Sequence, residues 1–152
     1  MTPIGAPFPS DQWFSDLVLR ATTDPATLGR LGIAEFCLGI EILDEEGGGG
    51  LFGLVLDGYD VLAAGRVDED EFAADAIISG PVAVWREMVE SIEANGGADT
   101  AHTLNSLSLA GVPLAVRASD AMGHDKFFRY MGTLQAIFDA AGSAPTVVEA
   151  TP

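Results

Sequence analysis

Two histidines, His102 and His124, are the whole imidazole complement of this 152-residue chain and limit the acid–base chemistry open to it near neutral pH. A general base needs a partner in a cleft. His102 lies in the polar connection ADTAHT and is one candidate. His124 stands beside Asp125 near the expected first turn of the last helix, where an exposed polar side chain needs no function. Tyr59, next to the Asp57-Gly58 turn, and Asp75, at the head of an otherwise apolar strand, offer another pairing. A carboxylate and a phenol facing an apolar ligand would suit proton transfer beside a carbonyl. One reading is therefore a small isomerase or hydrolase acting on an apolar substrate through Asp75, Tyr59 or His102. The plainer reading has Asp75 closing a turn.

Other reactive patterns are missing. The sequence contains no GxSxG, no GxxxxGK[ST] and no HExxH. Its single cysteine, Cys37, excludes an intrachain disulfide and reads as a small buried hydrophobe in a strand. The acidic run at 68–71, DEDE, supplies only oxygen ligands and lacks the glycine and terminal glutamate of a calcium loop, so it reads as a solvated connection. No metal and no cofactor is expected.

Charge narrows the partners. Seven Lys and Arg against 23 Asp and Glu give a formal charge of -16, which repels nucleic acid and anionic lipid headgroups. Neither nucleic acid nor stable membrane association is expected. MTPIGAPFPSDQW has neither the basic start nor the unbroken apolar stretch of a signal peptide, so a cytoplasmic protein is expected. One Lys among many Ala and Gly suggests a bacterial source.

The elements that must position these residues follow from periodicity. Ser10 and Asp11 can cap a first helix with Trp13, Phe14, Leu17 and Val18 on one face, ending near Thr23. IAEFCLGIEIL, from Ile33 to Leu43, alternates Phe36, Leu38, Ile40 and Ile42 with Glu35, Cys37, Gly39 and Glu41, a half-buried strand. The DEEGGGG loop then leads through LFGLVL and the Asp57-Gly58 turn into YDVLAAGRV, and ADAIISG makes a fourth strand. In SGPVAVWREMVESIEANGG, Ser79 offers a cap, Pro81 suits the first turn, and Val82, Trp85, Met88, Val89 and Ile92 form a stripe that ends at Asn95-Gly96. LNSLSLAGVPLAV reads as a fifth strand broken near Gly111 to Pro113. Ser119 or Asp120 begins one last helix bearing Phe127, Met131, Leu134, Phe138 and Ala141, with Tyr130 and Ile137 alongside. This order makes a single α+β domain in which the two last helices cover one face of a mostly antiparallel sheet. The expected divisions are an N-terminal helical segment at 1–31, the domain proper at 32–142, and a disordered tail at 143–152.

The two long stripes are core by their spacing. Their Met and aromatic content also suits an irregular apolar ligand, because these side chains adapt where Leu, Ile and Val specify.

From about Gly32 onward the chain resembles a sterol carrier protein-2 (sterol-transfer) domain. The likeness lies in the order of FGLVLDGYDVLAAG, ADAIISGPVAVWREMVESI, LNSLSLAGVPLAV and KFFRYMGTLQAIFDA. The family's G-x-L-x-x-x-G strand corresponds to Asn105, Leu107 and Gly111, with the leading glycine replaced. The resemblance implies a five-stranded sheet and an apolar tunnel between sheet and helices that accepts sterols, fatty acids or fatty acyl-CoA, with carriage in place of catalysis. It places Phe36 and Leu38 of the sheet, Trp85 and Met88 of one helix, and Phe127, Met131, Leu134 and Phe138 of the last helix on the ligand. A CoA headgroup would want Arg86, Arg117, Lys126 or Arg129 at the mouth. The acid excess around them favours an uncharged or singly charged lipid. A ligand-free module, packed on its own core or on a second copy as a homodimer, is the remaining reading.

Overall fold

Ser10 Oγ accepts the Trp13 amide at 3.1 Å, and the helix signalled by Ser10-Asp11 starts there. The computed structural model describes residues 8–23, 34–44, 49–58, 60–68, 70–99, 101–108, 113–118 and 120–142. Helix α1, Asp11–Thr23, buries Trp13, Phe14 and Leu17 completely or nearly so. Phe14 stacks on Phe52 of the sheet with ring centroids 4.8 Å apart, and Asp11 Oδ1 accepts the Arg66 amide at 2.6 Å. The helix is thus fixed at its start and along its face, and its aromatic residues belong to the same core as the rest of the domain.

Five strands form one sheet in the order β3-β2-β1-β4-β5. They are β1 (Ala34–Leu43), β2 (Gly50–Gly58), β3 (Asp60–Arg66), β4 (Ala76–Pro81) and β5 (Ala115–Arg117). β1 runs antiparallel to β2 and parallel to β4, while the β2–β3 and β4–β5 pairs are antiparallel. Gly58, at φ 68°, supplies the left-handed residue that turns β2 toward β3. Register puts Phe36 opposite Leu56, Leu38 opposite Leu54 and Ile40 opposite Phe52, so one sheet face is continuous and apolar. These six side chains are all 3% exposed or less. The alternation in β1 therefore assigns its faces correctly. Residues 45–48 of the glycine-rich loop lie outside the described residues.

Helix α2, Val82–Asn95, crosses this face with Trp85, Met88, Val89 and Ile92 buried, and it ends at Gly96 in the left-handed region (φ 78°). Its start corrects the expectation. Pro81 occupies the cap position without a side-chain bond, and Ser79 is a strand residue whose Oγ donates to Glu41 at 2.8 Å. Strand register places Ser79 beside Glu41, and that pairing takes precedence over capping.

LNSLS is not a strand. It forms a short helix, α3 (Leu104–Ser108), after which only Ala115–Arg117 joins the sheet as β5. The Leu-Ser alternation suggested a period of two, but Leu104, Leu107 and Ser108 are buried at helical spacing. Thr103 Oγ1 accepts the Ser106 amide at 3.1 Å and starts the turn. The expected single closing helix is two, α4 (Ala121–Arg129) and α5 (Met131–Asp139), with the bend at Tyr130 (φ -98°, ψ 10°) and a 3-10 turn over Ala140–Gly142. Asp120 caps α4 by accepting the Gly123 amide at 2.8 Å. The 143–152 tail lies outside the described residues, and no described helix is long and apolar enough to cross a membrane.

β5 is short, and an ion pair links it to β1. Arg117 Nη1 donates to Glu41 Oε1 at 2.9 Å across the sheet. This hydrogen bond, more than Ser79, holds the Glu41 carboxyl below its ordinary range against the opposing effect of burial. A lowered folded pKa means stability that is present above the ordinary carboxylate value and lost as pH falls through the folded value. Acidification should therefore lower the melting temperature of the wild type, and Arg117→Ala should flatten part of that dependence. Both side chains are partly exposed, so added salt should shrink the difference. Melting curves from neutral to acid pH, at two salt concentrations, test this.

Candidate ligand-binding site

The eight side chains assigned to a ligand come together. Phe36, Leu38, Trp85, Met88, Phe127, Leu134 and Phe138 belong to one buried cluster, and half-buried Met131 packs against it. β1 supplies Phe36 and Leu38 because odd and even residues of a strand face opposite ways. α2 supplies Trp85 and Met88, three residues apart and so on one side of the helix. Trp85 lies nearly parallel to Phe138 of α5, with centroids 6.1 Å apart, and Phe36 meets Tyr130 at the α4–α5 bend at 5.9 Å. Leu38, Trp85, Met88, Phe127, Leu134 and Phe138 are 0% exposed, so they touch no water-sized space and the helices lie closed on the sheet in this conformation. A cleft of about 400 Å³ lies elsewhere, at the β4–β5 edge, lined by Phe72, Ala73, Ala74, Ala76, Ile77, Arg117 and Ala118.

Polar groups around the cluster are committed to structure. Asp75 Oδ2 accepts the Cys37 amide at 2.8 Å while the Asp75 amide donates to the Cys37 carbonyl at the same distance. The residue thereby splices the start of β4 onto β1. The Cys37 thiol is pushed up, first by burial and then by the Asp75 charge, which makes it a poor nucleophile. His102 sits on a different element, with Nδ1 2.7 Å from Asp99 Oδ1 and Nε2 3.8 Å from Glu87. Asp75 and His102 are thus held by separate partners, and Tyr59 lies outside the described residues. His124 is exposed on α4, its ring 5.0 Å from that of Phe128. Within the acidic run, Asp68 accepts the Asp70 amide at 2.9 Å and closes its own turn, and Glu69 is outside the described residues.

Three features were not singled out in the sequence. Arg20 of α1 is 8% exposed and donates to the Ala141 carbonyl at 3.1 Å, tying α1 to the turn after α5. Its guanidinium is pushed down by desolvation and supported by Asp16 and Glu93. Gly123 lets the first turn of α4 lie directly against the Asp75 carbonyl, where a Cβ would collide. Third, the Trp85 indole Nε1 is buried without a hydrogen-bond partner among the described residues.

This architecture is shared with solved proteins. A crystal structure of sterol carrier protein 2 superposes with a TM-score of 0.63 at 18% identity, over 87% of this chain and 95% of that one. The chain has the sterol carrier protein-2 fold. The solution structure of the conserved hypothetical protein TT1886 from Thermus thermophilus agrees, with a TM-score of 0.57 at 17% identity over 93% of this chain and 94% of that one. No protein-family model and no curated protein sequence matches the chain.

Proposed function

We propose that the chain is a lipid-binding protein that holds one apolar molecule, a sterol, steroid or fatty acid, between the sheet and helices α2, α4 and α5. The observation that carries this reading is the convergence of the eight assigned side chains on one interface of a sterol-carrier fold. That interface is closed, so the ligand replaces contacts that the side chains make with one another. The bend at Tyr130 makes α4 and α5 separate segments, and the flexible side chains of Met88 and Met131 suit irregular space. Burying about 300 Å² of ligand at roughly 25 cal/mol per Å² supplies about 7 kcal/mol before association costs, so affinity should be micromolar or weaker.

The surface cations support a lipid with little charge over an acyl-CoA. Arg117 is engaged by Glu41, Arg129 is paired with Asp125 at 2.6 Å, and Arg86 donates to the Phe8 carbonyl at 3.4 Å. A phosphate-bearing headgroup would have to compete with these three partners, leaving Lys126 of α4 as the remaining cation of the four.

Fluorescence titration with dehydroergosterol and with cis-parinaric acid tests the reading. Saturable one-to-one binding in the micromolar range is expected, and no saturation by about a hundred micromolar would remove the carrier assignment. Asp75→Asn should keep its acceptor oxygen toward Cys37 and leave these affinities within about twofold. If Asp75→Asn instead abolished conversion of an apolar substrate, the acid–base reading would replace carriage.

A further inference from the structure

Among the described residues, the buried polar side chains Arg20 and Ser108 both have partners. Arg20 donates to the Ala141 carbonyl and Ser108 Oγ to the Leu104 carbonyl at 2.6 Å. The Trp85 indole N–H differs: it is buried with no acceptor among the described residues, and at 0% exposure the residue is closed off from bulk solvent. Folded proteins rarely leave a buried donor unmade, because the group gives up its hydration and gains nothing in return. An apolar side chain at this position would carry no such cost. The indole lies inside the proposed ligand interface, against Phe138.

We propose that the Trp85 N–H is the polar anchor of the site, donating to an uncharged oxygen, a ketone, ester or hydroxyl, on an otherwise apolar ligand. This rests on the carrier reading and deepens it. A carboxylate would enter the same apolar cluster as an unpaired charge, which a single neutral donor does not compensate. Arg20, the buried cation of the core, is already held by the Ala141 carbonyl with Asp16 and Glu93 in its field. The site therefore favours an apolar molecule that carries a neutral oxygen over a plain hydrocarbon of the same shape, and a fatty acid would have to keep its carboxylate outside the cluster.

The test uses 5α-androstan-3-one and its parent hydrocarbon 5α-androstane as matched probes. In ¹⁵N-labelled protein, with Trp13→Phe used to assign the two indole signals, the ketone should move the Trp85 N–H resonance downfield and the hydrocarbon should not. The ketone should also bind about five- to tenfold more tightly, a preference that Trp85→Phe abolishes. Equal binding of the two probes with an unmoved indole signal would overturn the anchor and leave carriage standing. Failure of both probes to bind would overturn carriage and the anchor together. The indole signal is read in protein that retains Trp85, so the outcome does not depend on how Trp85→Phe folds.

Discussion

Phe138→Ala is expected to lower the unfolding free energy by about 3–5 kcal/mol, the range for removing a fully buried aromatic ring. Phe138 is 0% exposed and lies along Trp85, so its loss removes both transfer energy and an aromatic contact between α5 and α2. Urea unfolding followed by far-UV circular dichroism gives the number. A loss below about 1 kcal/mol would mean that the surroundings collapse into the space, contrary to a rigidly packed ring. The same variant bears on function, because the deleted ring borders the proposed ligand. A bound lipid should restore part of the lost stability, by an amount set by its concentration relative to its dissociation constant.

Gly123→Ala is the second large effect expected. The added Cβ would strike the Asp75 carbonyl, a backbone atom that cannot rotate aside. Overpacking of this kind costs about 1–3 kcal/mol, and an immovable neighbour places the expectation at the upper end. The disturbance should spread, since Asp120 holds the Gly123 amide and the Asp75 side chain holds the Cys37 amide. Lifting the start of α4 would shift Phe127 and weaken lipid binding along with stability. Gly132→Ala is the control: this glycine is exposed inside α5 with nothing within 4 Å of its missing Cβ. It should be neutral or stabilising by up to about 1 kcal/mol, the helical preference of Ala over Gly. Parallel thermal melts of the two variants decide the matter, and equal effects would contradict this account of α4 docking.

Local pattern suffices where it repeats along a whole element. β1 was legible because Phe36, Leu38, Ile40 and Ile42 alternate with polar or small residues for the whole strand, and α2 because a regular stripe ends at Asn95-Gly96. LNSLS misled because five residues fit a period of two as well as one of 3.6, and Thr103, the residue that decides between them, acts through a cap. Ser79 looked like a cap locally, but Glu41, far away in sequence, determines its role. The bend at Tyr130 carries no proline or internal glycine signal at the break itself.

The candidate site divides the same way. Its apolar members are visible as stripes, since burial follows periodicity. Its polar features are not, because each depends on a partner distant in the chain. The Asp75 bond to Cys37 spans 38 positions, and that of Arg20 to Ala141 spans 121. An unpartnered indole is still less legible, since it is defined by every neighbour that fails to reach it.

Carriage is tested most directly by native mass spectrometry of the purified protein, followed by organic extraction of whatever is released. The account predicts one sterol, steroid or fatty acid per chain, retained on purification or taken up when offered at about a hundred micromolar. A clean mass of the bare chain that these lipids and steroids leave unchanged would contradict it and leave the closed interface as core alone.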